Sequence, residues 1–87
     1  MKYLVIDVRE QDEFNAGHLN GAMNLPLGLV IRGATELADV PKDTELLLYC
    51  RSGGRAGVAL EALAKQGFTN VTNGINQDTL KSKYKLK

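Results

Sequence analysis

The chain has 87 residues with a formal net charge of +1, and hydrophobic residues make up 44% of it. This length fits one domain, residues 1–87, and the near-neutral charge gives no case for a nucleic-acid or membrane partner. A single cysteine excludes an internal disulfide, and one histidine beside it argues against a structural zinc site. We therefore expect no metal, and we also expect a monomer without a cofactor. Its compartment stays open: the cytoplasm for the chain as it stands, or the periplasm if a signal segment precedes it.

The amino-terminal third predicts a strand, a helix and a second strand. Residues 3–6 form an apolar run that indicates a buried strand. Residues 10–16 favour a short helix, because acidic side chains suit its first turn, Phe14 supplies an apolar anchor and Gly17 ends it. Residues 22–24 predict a short strand before the next proline.

The middle of the chain predicts a helical segment, a central strand and a longer helix. Residues 27–40 have helical spacing that Gly33 weakens, so two short pieces are as favoured as one helix. Residues 46–49 are consecutively apolar, which is typical of a parallel strand covered on both faces. Residues 56–66 repeat apolar side chains on one helix face, and Gly67 fits the left-handed position that ends a helix.

The carboxyl-terminal segment predicts a short strand over residues 70–72, a turn at residues 73–74 and a helical turn over residues 78–82. Residues 81–87 contain four lysines and are expected to be a solvated tail. Strands and helices alternate throughout, so the fold class is α/β. We expect a mainly parallel central sheet with helices on both faces and the strand over residues 46–49 in its interior.

The loop that follows the central strand carries the chemistry. Cys50 ends that strand and precedes a helix, the position at which open α/β sheets bind ligands. Gly53 and Gly54 let successive backbone N–H groups curl around one concavity. Arg51 and Arg55 add forked cationic donors that suit an oxyanion, and this setting favours the thiolate. A lone cysteine beside an apolar strand is usually a small buried hydrophobe, but the arginines and glycines favour a nucleophile in an anion-binding cup.

Two motifs resemble those of the rhodanese family. One runs from Asp7-Val8-Arg9-Glu10 to Pro26 and is similar to the family's amino-terminal signature. The other, Tyr49-Cys50-Arg51-Ser52-Gly53-Gly54-Arg55, is similar to its active-site loop, and the short chain is similar to single-domain members of the phage-shock protein E type. The resemblance implies a rhodanese-like fold and a thiosulfate sulfurtransferase.

In that reading Cys50 is the catalytic residue. It takes the outer sulfur of a small anionic donor, becomes a persulfide and passes the sulfur to cyanide or another thiophilic acceptor. By motif position, the substrate-binding residues are Arg51, Ser52, Gly53, Gly54 and Arg55. Many family members carry a Gly-Gly pair and a tryptophan after the last strand, whereas this chain reads Asn73-Gly74-Ile75-Asn76-Gln77 and has no tryptophan. The resemblance therefore does not assign the wall of the site near residues 73–77.

Other side chains of the motifs receive structural roles. Arg9 either adds positive potential near the cup or pairs with Asp7 or Glu13, and we favour the pairing. His18 is the only histidine, and we do not expect it to act as a general base, because a stabilised thiolate needs none. Strand alternation points Tyr49 away from the cysteine, into the core.

Two other functions compete with the sulfurtransferase. A phosphatase or arsenate reductase can be built on the same fold, but dual-specificity phosphatases of this kind place the arginine one residue further from the cysteine. Here four residues separate Cys50 from Arg55, and the smaller loop suits a sulfur atom better than a phosphoryl group. A non-catalytic binding or sulfur-relay module is the third candidate, and the retained cysteine argues against an inactive domain.

Overall fold

The computed structural model describes residues 3–85, which form a four-stranded sheet with helices packed against it. The strands are β1 (Tyr3–Asp7), β2 (Met23–Asn24), β3 (Glu45–Tyr49) and β4 (Val71–Asn73). The helices are α1 (Gln11–Ala16), α2 (Leu27–Ile31), α3 (Gly54–Lys65) and α4 (Gln77–Tyr84), with a 3-10 turn at Thr35–Leu37. Every strand pairing is parallel, in the order β2-β1-β3-β4, so the predicted α/β class and parallel sheet are confirmed.

The interior position predicted for β3 is also confirmed. It pairs with β1 on one side, where Asp7 faces Tyr49, and with β4 on the other. Its last four residues are completely buried, as a consecutive apolar run requires when both faces of a sheet are covered. The strand begins one residue earlier than predicted, at Glu45.

The side chains of β3 alternate between two separate hydrophobic clusters, one on each face of the sheet. Leu46, Leu48 and Cys50 belong to the cluster under α2 and α3. Leu47 and Tyr49 belong to the cluster on the other face, which Leu80 of α4 helps to close (Leu47, Tyr49 and Leu80 are buried). Helices therefore cover both faces, and Tyr49 points away from Cys50 as the alternation predicts. No helix of residues 3–85 has the length and apolar character needed to cross a membrane.

Helix α3 ends as its sequence predicts and begins earlier. Gly67 has a φ of +103°, and its N–H donates to the Ala64 carbonyl while the Phe68 N–H donates to the Leu63 carbonyl. These paired bonds are the usual glycine termination of a helix. The helix begins at Gly54 rather than Ala56, because left-handed Gly53 turns the chain directly into it.

The segment between β2 and β3 forms two short pieces, α2 and the 3-10 turn, separated by Gly33 at a φ of +124°. The alternative of two pieces is therefore confirmed. Helix α1 begins one residue later than predicted, at Gln11. Its predicted anchor, Phe14, is only half-buried and stacks on the His18 ring at a centroid distance of 3.6 Å.

The predicted turn at residues 73–74 is wrong. Asn73 is the last residue of β4, and the Gly74 N–H donates to the Leu48 carbonyl at 2.7 Å, which continues the sheet. The predicted helical turn at residues 78–82 is part of the longer α4, which Asn76 caps by accepting from the Thr79 N–H. Residues 81–84 therefore belong to a helix rather than to a loose tail, although residues 81–83 are exposed as predicted. Residues 86–87 of that predicted tail lie outside the described residues.

Candidate active site

Cys50 lies directly after β3, in the loop that leads into α3, and is only 3% exposed. Its Sγ accepts a hydrogen bond from the Gly53 N–H at 3.1 Å. Gly53 adopts a φ of +95°, a left-handed conformation that favours glycine and turns its N–H back toward the sulfur. The Cys50 N–H donates to the Ile75 carbonyl at 3.1 Å, so the loop is tied to the segment that follows β4.

The backbone around the sulfur favours its ionised form. Burial raises the pKa of the Cys50 thiol, but the backbone N–H groups of Ala56, Ser52, Gly53 and Arg55 favour the thiolate and outweigh burial, so the net pKa lies below the ordinary value. Of these groups, the Gly53 N–H makes a hydrogen bond to the sulfur. The direction agrees with the sequence-based expectation of an acidic thiol. The cause is the ring of backbone donors at the start of α3, more than the arginine charges.

Arg55 is engaged by a carboxylate. Its guanidinium donates to both oxygens of Glu13, at 2.7 and 3.1 Å, which joins α3 to α1. The hydrogen bond from Arg55, together with a smaller contribution from the hydrogen bond of the Glu10 N–H, lowers the pKa of Glu13 to about 2. The bond to Glu13 is also the main cause that raises the pKa of Arg55, and the negative charge of an ionised Cys50 raises it further.

Arg9 forms the second ion pair near the site. Its guanidinium donates to the fully buried Asp7 at 2.7–3.1 Å and to the Gly17 carbonyl at 2.7 Å. The predicted pairing of Arg9 with Asp7 is confirmed, whereas Glu13 pairs with Arg55 instead. Arg9 also lies over the ring of Tyr49, whose pKa burial raises to about 12.

A cavity of about 380 Å³ opens at the sulfur, and its lining combines the loop with the start of α4. The lining residues are Arg9, Cys50, Arg51, Asn76, Gln77 and Asp78. Of the predicted site residues, Cys50 and Arg51 therefore line the cavity. Ser52 and Gly53 form the turn that follows them, and Gly54 and Arg55 are the first residues of α3. His18 is not among the lining residues, and its Nδ1 lies 2.9 Å from the Phe14 carbonyl. Residues 3–85 contain no group of three or more His, Cys, Asp or Glu side chains placed to hold a metal.

The wall that the sequence left unassigned comes from the start of α4. Only Asn76, as a helix-capping residue type followed three residues later by Thr79, signalled that a helix begins here. Nothing in the local pattern showed that this helix start faces Cys50, because the packing of α4 against β3 depends on contacts between distant residues.

Asn73 braces the loop from the end of β4. Its side-chain amide donates to the Gly53 carbonyl at 3.0 Å and accepts from the Ile75 N–H at 2.9 Å. Ile75 has a φ of +72°, which is rare for a β-branched residue and indicates that its surroundings hold it in place. The Asn73 amide thus fixes both the turn beside the cysteine and the carbonyl that accepts from Cys50.

This arrangement defines an α/β domain in which a buried cysteine follows the central strand and accepts a backbone hydrogen bond from the turn that begins a helix. The chain matches the family model of the rhodanese-like domain over residues 1–76 and belongs to that family. The resemblance drawn from the two sequence motifs is therefore confirmed.

The relatives agree with this assignment. The thiosulfate sulfurtransferase PspE of Escherichia coli is 39% identical over 69 residues, which are 78% of this chain and 64% of PspE. The putative sulfur carrier protein YrkF of Bacillus subtilis is 38% identical over 69 residues, 79% of this chain and 36% of YrkF. The chain thus spans between about a third and two-thirds of these relatives. A solved structure of a rhodanese with anions from E. coli matches with a TM-score of 0.78 at 31% identity, over 88% of this chain and 89% of that one.

Proposed function

We propose that this protein is a thiosulfate sulfurtransferase that carries sulfur as a persulfide on Cys50. The observation that supports it most directly is the buried Cys50 sulfur, which lines an open cavity and accepts a backbone hydrogen bond from Gly53. The similarity to PspE, which is named a thiosulfate sulfurtransferase, supports thiosulfate as the donor. A thiolate held in this way needs no general base to become a nucleophile.

The reaction proceeds by two displacements on sulfur. In the first, the Cys50 thiolate attacks the outer sulfur of thiosulfate, the S–S bond of the donor breaks, and sulfite leaves with the bonding electron pair. In the second, an acceptor nucleophile such as cyanide attacks the terminal sulfur of the persulfide. The Cys50–sulfur bond breaks, thiocyanate leaves and the thiolate returns. Charge is conserved in each step, and no oxidant is needed.

The loop stabilises negative charge in every state of this cycle. We expect the backbone donors that lower the pKa of Cys50 to stabilise the persulfide anion as well, because that anion forms on the same sulfur. Arg51, which is exposed and lines the cavity, is the side chain best placed to receive the sulfonate oxygens of the donor. Ser52, Gly53 and Gly54 shape the turn that presents the N–H groups.

Mass spectrometry of the intact protein tests the persulfide. Incubation with thiosulfate alone should add about 32 Da at Cys50, and cyanide should remove it and release thiocyanate. Cys50→Ser should lose both behaviours and still fold, because the exchange is nearly isosteric. If the wild-type protein gains no sulfur yet hydrolyses an aryl phosphate through Cys50, the phosphatase alternative replaces this proposal.

The two loop arginines can be separated by substitution. We expect Arg51→Ala to lower kcat/KM for thiosulfate by about tenfold or more, since a charge-assisted contact is worth about 1.5–3 kcal/mol. Arg55 can contact the anion only by leaving Glu13, so Arg55→Ala should cost less than Arg51→Ala, and Arg55→Lys should restore part of that loss. A larger loss in Arg55→Ala than in Arg51→Ala would show that Arg55 exchanges Glu13 for the substrate.

A sulfur relay is the second candidate, and the similarity to a putative sulfur carrier protein favours it. In a relay, the same Cys50 persulfide forms but passes to a protein thiol rather than to a small acceptor. A relay predicts rapid transfer of sulfur to Cys50 and slow transfer of that sulfur to cyanide. A sulfurtransferase predicts rapid reaction with both thiosulfate and cyanide. Single-turnover rates of the two half-reactions therefore distinguish them.

A further inference from the structure

The side chains around the cavity carry less net positive charge than a count of arginines suggests. Arg9 is bound to Asp7, and Arg55 is neutralised by its ion pair with α1. The charged lining residues that take part in neither pair are Arg51 and Asp78. A carboxylate in the wall opposes the binding of an anion, so its presence in this cavity calls for a role.

Asp78 belongs to the wall that α4 contributes. It is an exposed residue in the first turn of that helix, where a negative charge interacts favourably with the helix dipole. The capping hydrogen bond of this turn is made by Asn76, not by Asp78. Within residues 3–85, no hydrogen bond or ion pair engages the Asp78 carboxylate, and this exposed residue is among those that line the cavity.

We propose that Asp78 selects the sulfur acceptor, favouring thiols that carry a positive charge close to their sulfur over thiols that carry a carboxylate. The inference rests on the proposed function, because it concerns the second half-reaction of the Cys50 persulfide. Like charges in one cavity repel, and opposite charges raise the local concentration of the incoming group. Such discrimination acts as much by rejecting the wrong acceptor as by attracting the right one.

Three thiols of similar size provide the test: cysteamine, which is cationic, 2-mercaptoethanol, which is neutral, and 3-mercaptopropionate, which is anionic. The persulfide is formed first, and excess donor is removed. The sulfur of each added thiol then attacks the outer sulfur of the persulfide, the bond from that sulfur to Cys50 breaks, the added thiol leaves as its own persulfide and the Cys50 thiolate returns. The return of Cys50 to its thiol mass is followed over time. For each thiol the rate with Asp78→Asn is divided by the wild-type rate, so the intrinsic reactivity of the thiol cancels.

We expect Asp78→Asn to speed discharge by 3-mercaptopropionate and to slow discharge by cysteamine. The ratio of the two rates should shift by about threefold to tenfold, and 2-mercaptoethanol should be little affected, as expected for charges interacting across a partly solvated cavity. The shift should shrink at high salt, because exposed charges are screened. Asp78→Lys should shift the ratio further in the same direction.

Asp43→Asn is the matched control. It makes the same change in charge at an exposed position before the start of β3, about 16 Å or more from Cys50 by the rise of a strand. The inference is overturned if Asp78→Asn changes all three thiols equally or if Asp43→Asn reproduces the shift. Loading with polysulfide, which transfers sulfur directly to a thiolate, allows the discharge test even if thiosulfate yields no persulfide. Failure of the donor proposal is thereby distinguished from failure of this one.

Discussion

We predict that the stability of the protein and the pKa of Cys50 both depend on the side-chain amide of Asn73, which lies outside the active-site loop. Asn73→Ala removes the donor to the Gly53 carbonyl and the acceptor from the Ile75 N–H. A neutral hydrogen bond contributes about 0.5–1.5 kcal/mol, so the two together should lower the free energy of unfolding by about 1–3 kcal/mol. The loss is sizeable, because small domains are stable by only about 5–15 kcal/mol.

Asn73→Asp separates the two roles of the amide. The carboxylate keeps the acceptor for the Ile75 N–H, loses the donor to the Gly53 carbonyl and brings a negative charge toward the loop that holds Cys50. We therefore expect Asn73→Asp to raise the pKa of Cys50 by more than Asn73→Ala does, since a nearby like charge disfavours the thiolate.

Urea unfolding followed by circular dichroism measures the stability, and the pH dependence of alkylation by iodoacetamide measures the pKa of Cys50. Asn70→Asp is the control, since Asn70 is exposed and immediately precedes β4, at the end of that strand away from Asn73. It should leave the alkylation midpoint unchanged. If both Asn73 variants match the wild-type protein in unfolding and in alkylation, Asn73 does not brace the loop.

Two further predictions concern stability. A Cβ at Gly74 would lie 2.5 Å from Leu80 Cγ and 2.9 Å from the Leu48 carbonyl, so Gly74→Ala should cost about 1–3 kcal/mol in urea unfolding. Gly28→Ala is the control, because no atom lies within 4 Å of the added Cβ, and it should not lower the free energy of unfolding. If the two substitutions lower it equally, steric overlap is not the reason for the loss at Gly74. Glu13→Gln keeps a capping acceptor but loses the ion pair, which should cost about 0.5–1 kcal/mol near neutral pH. In the folded protein the pKa of Glu13 is about 2, below the ordinary value of 4.5. The stabilisation by the ion pair is therefore present above pH 4.5 and is lost as the pH falls toward 2. If the wild-type protein and Glu13→Gln still differ in stability at pH 2, the stabilisation does not come from this ion pair.

The parts of the fold that the sequence predicts well are those decided by neighbouring residues. The end of α3 at Gly67 follows from one glycine with an apolar residue after it, and both of its hydrogen bonds stay within the same turn. The buried β3 follows from a run of apolar residues, since only a strand covered on both faces accommodates it. The position of Cys50 at the end of that strand was predictable for the same reason.

The errors lie where distant residues decide the local structure. Asn73-Gly74 is a common turn sequence, but here the Leu48 carbonyl and the Leu80 side chain hold Gly74 in a continuation of the sheet. The pairing of Glu13 with Arg55 was not predicted, because Arg55 lies 42 positions away and only the packing of α1 near the start of α3 brings the two residues together. The role of α4 in the cavity wall was missed for a similar reason.

These contacts change the explanation for the lowered pKa of Cys50. The sequence suggested that free arginines make the cup cationic, yet two of the three arginines at the site are held by carboxylates. The backbone donors remain, and they are fixed by the turn at Gly53 and by the start of α3. Fixed dipoles need no reorganisation when the negative charge moves from the thiolate sulfur to the outer sulfur of a persulfide. In the proposed function, a loop of this kind stabilises both the thiolate and the persulfide of Cys50, and the surrounding charged side chains select the donors and acceptors.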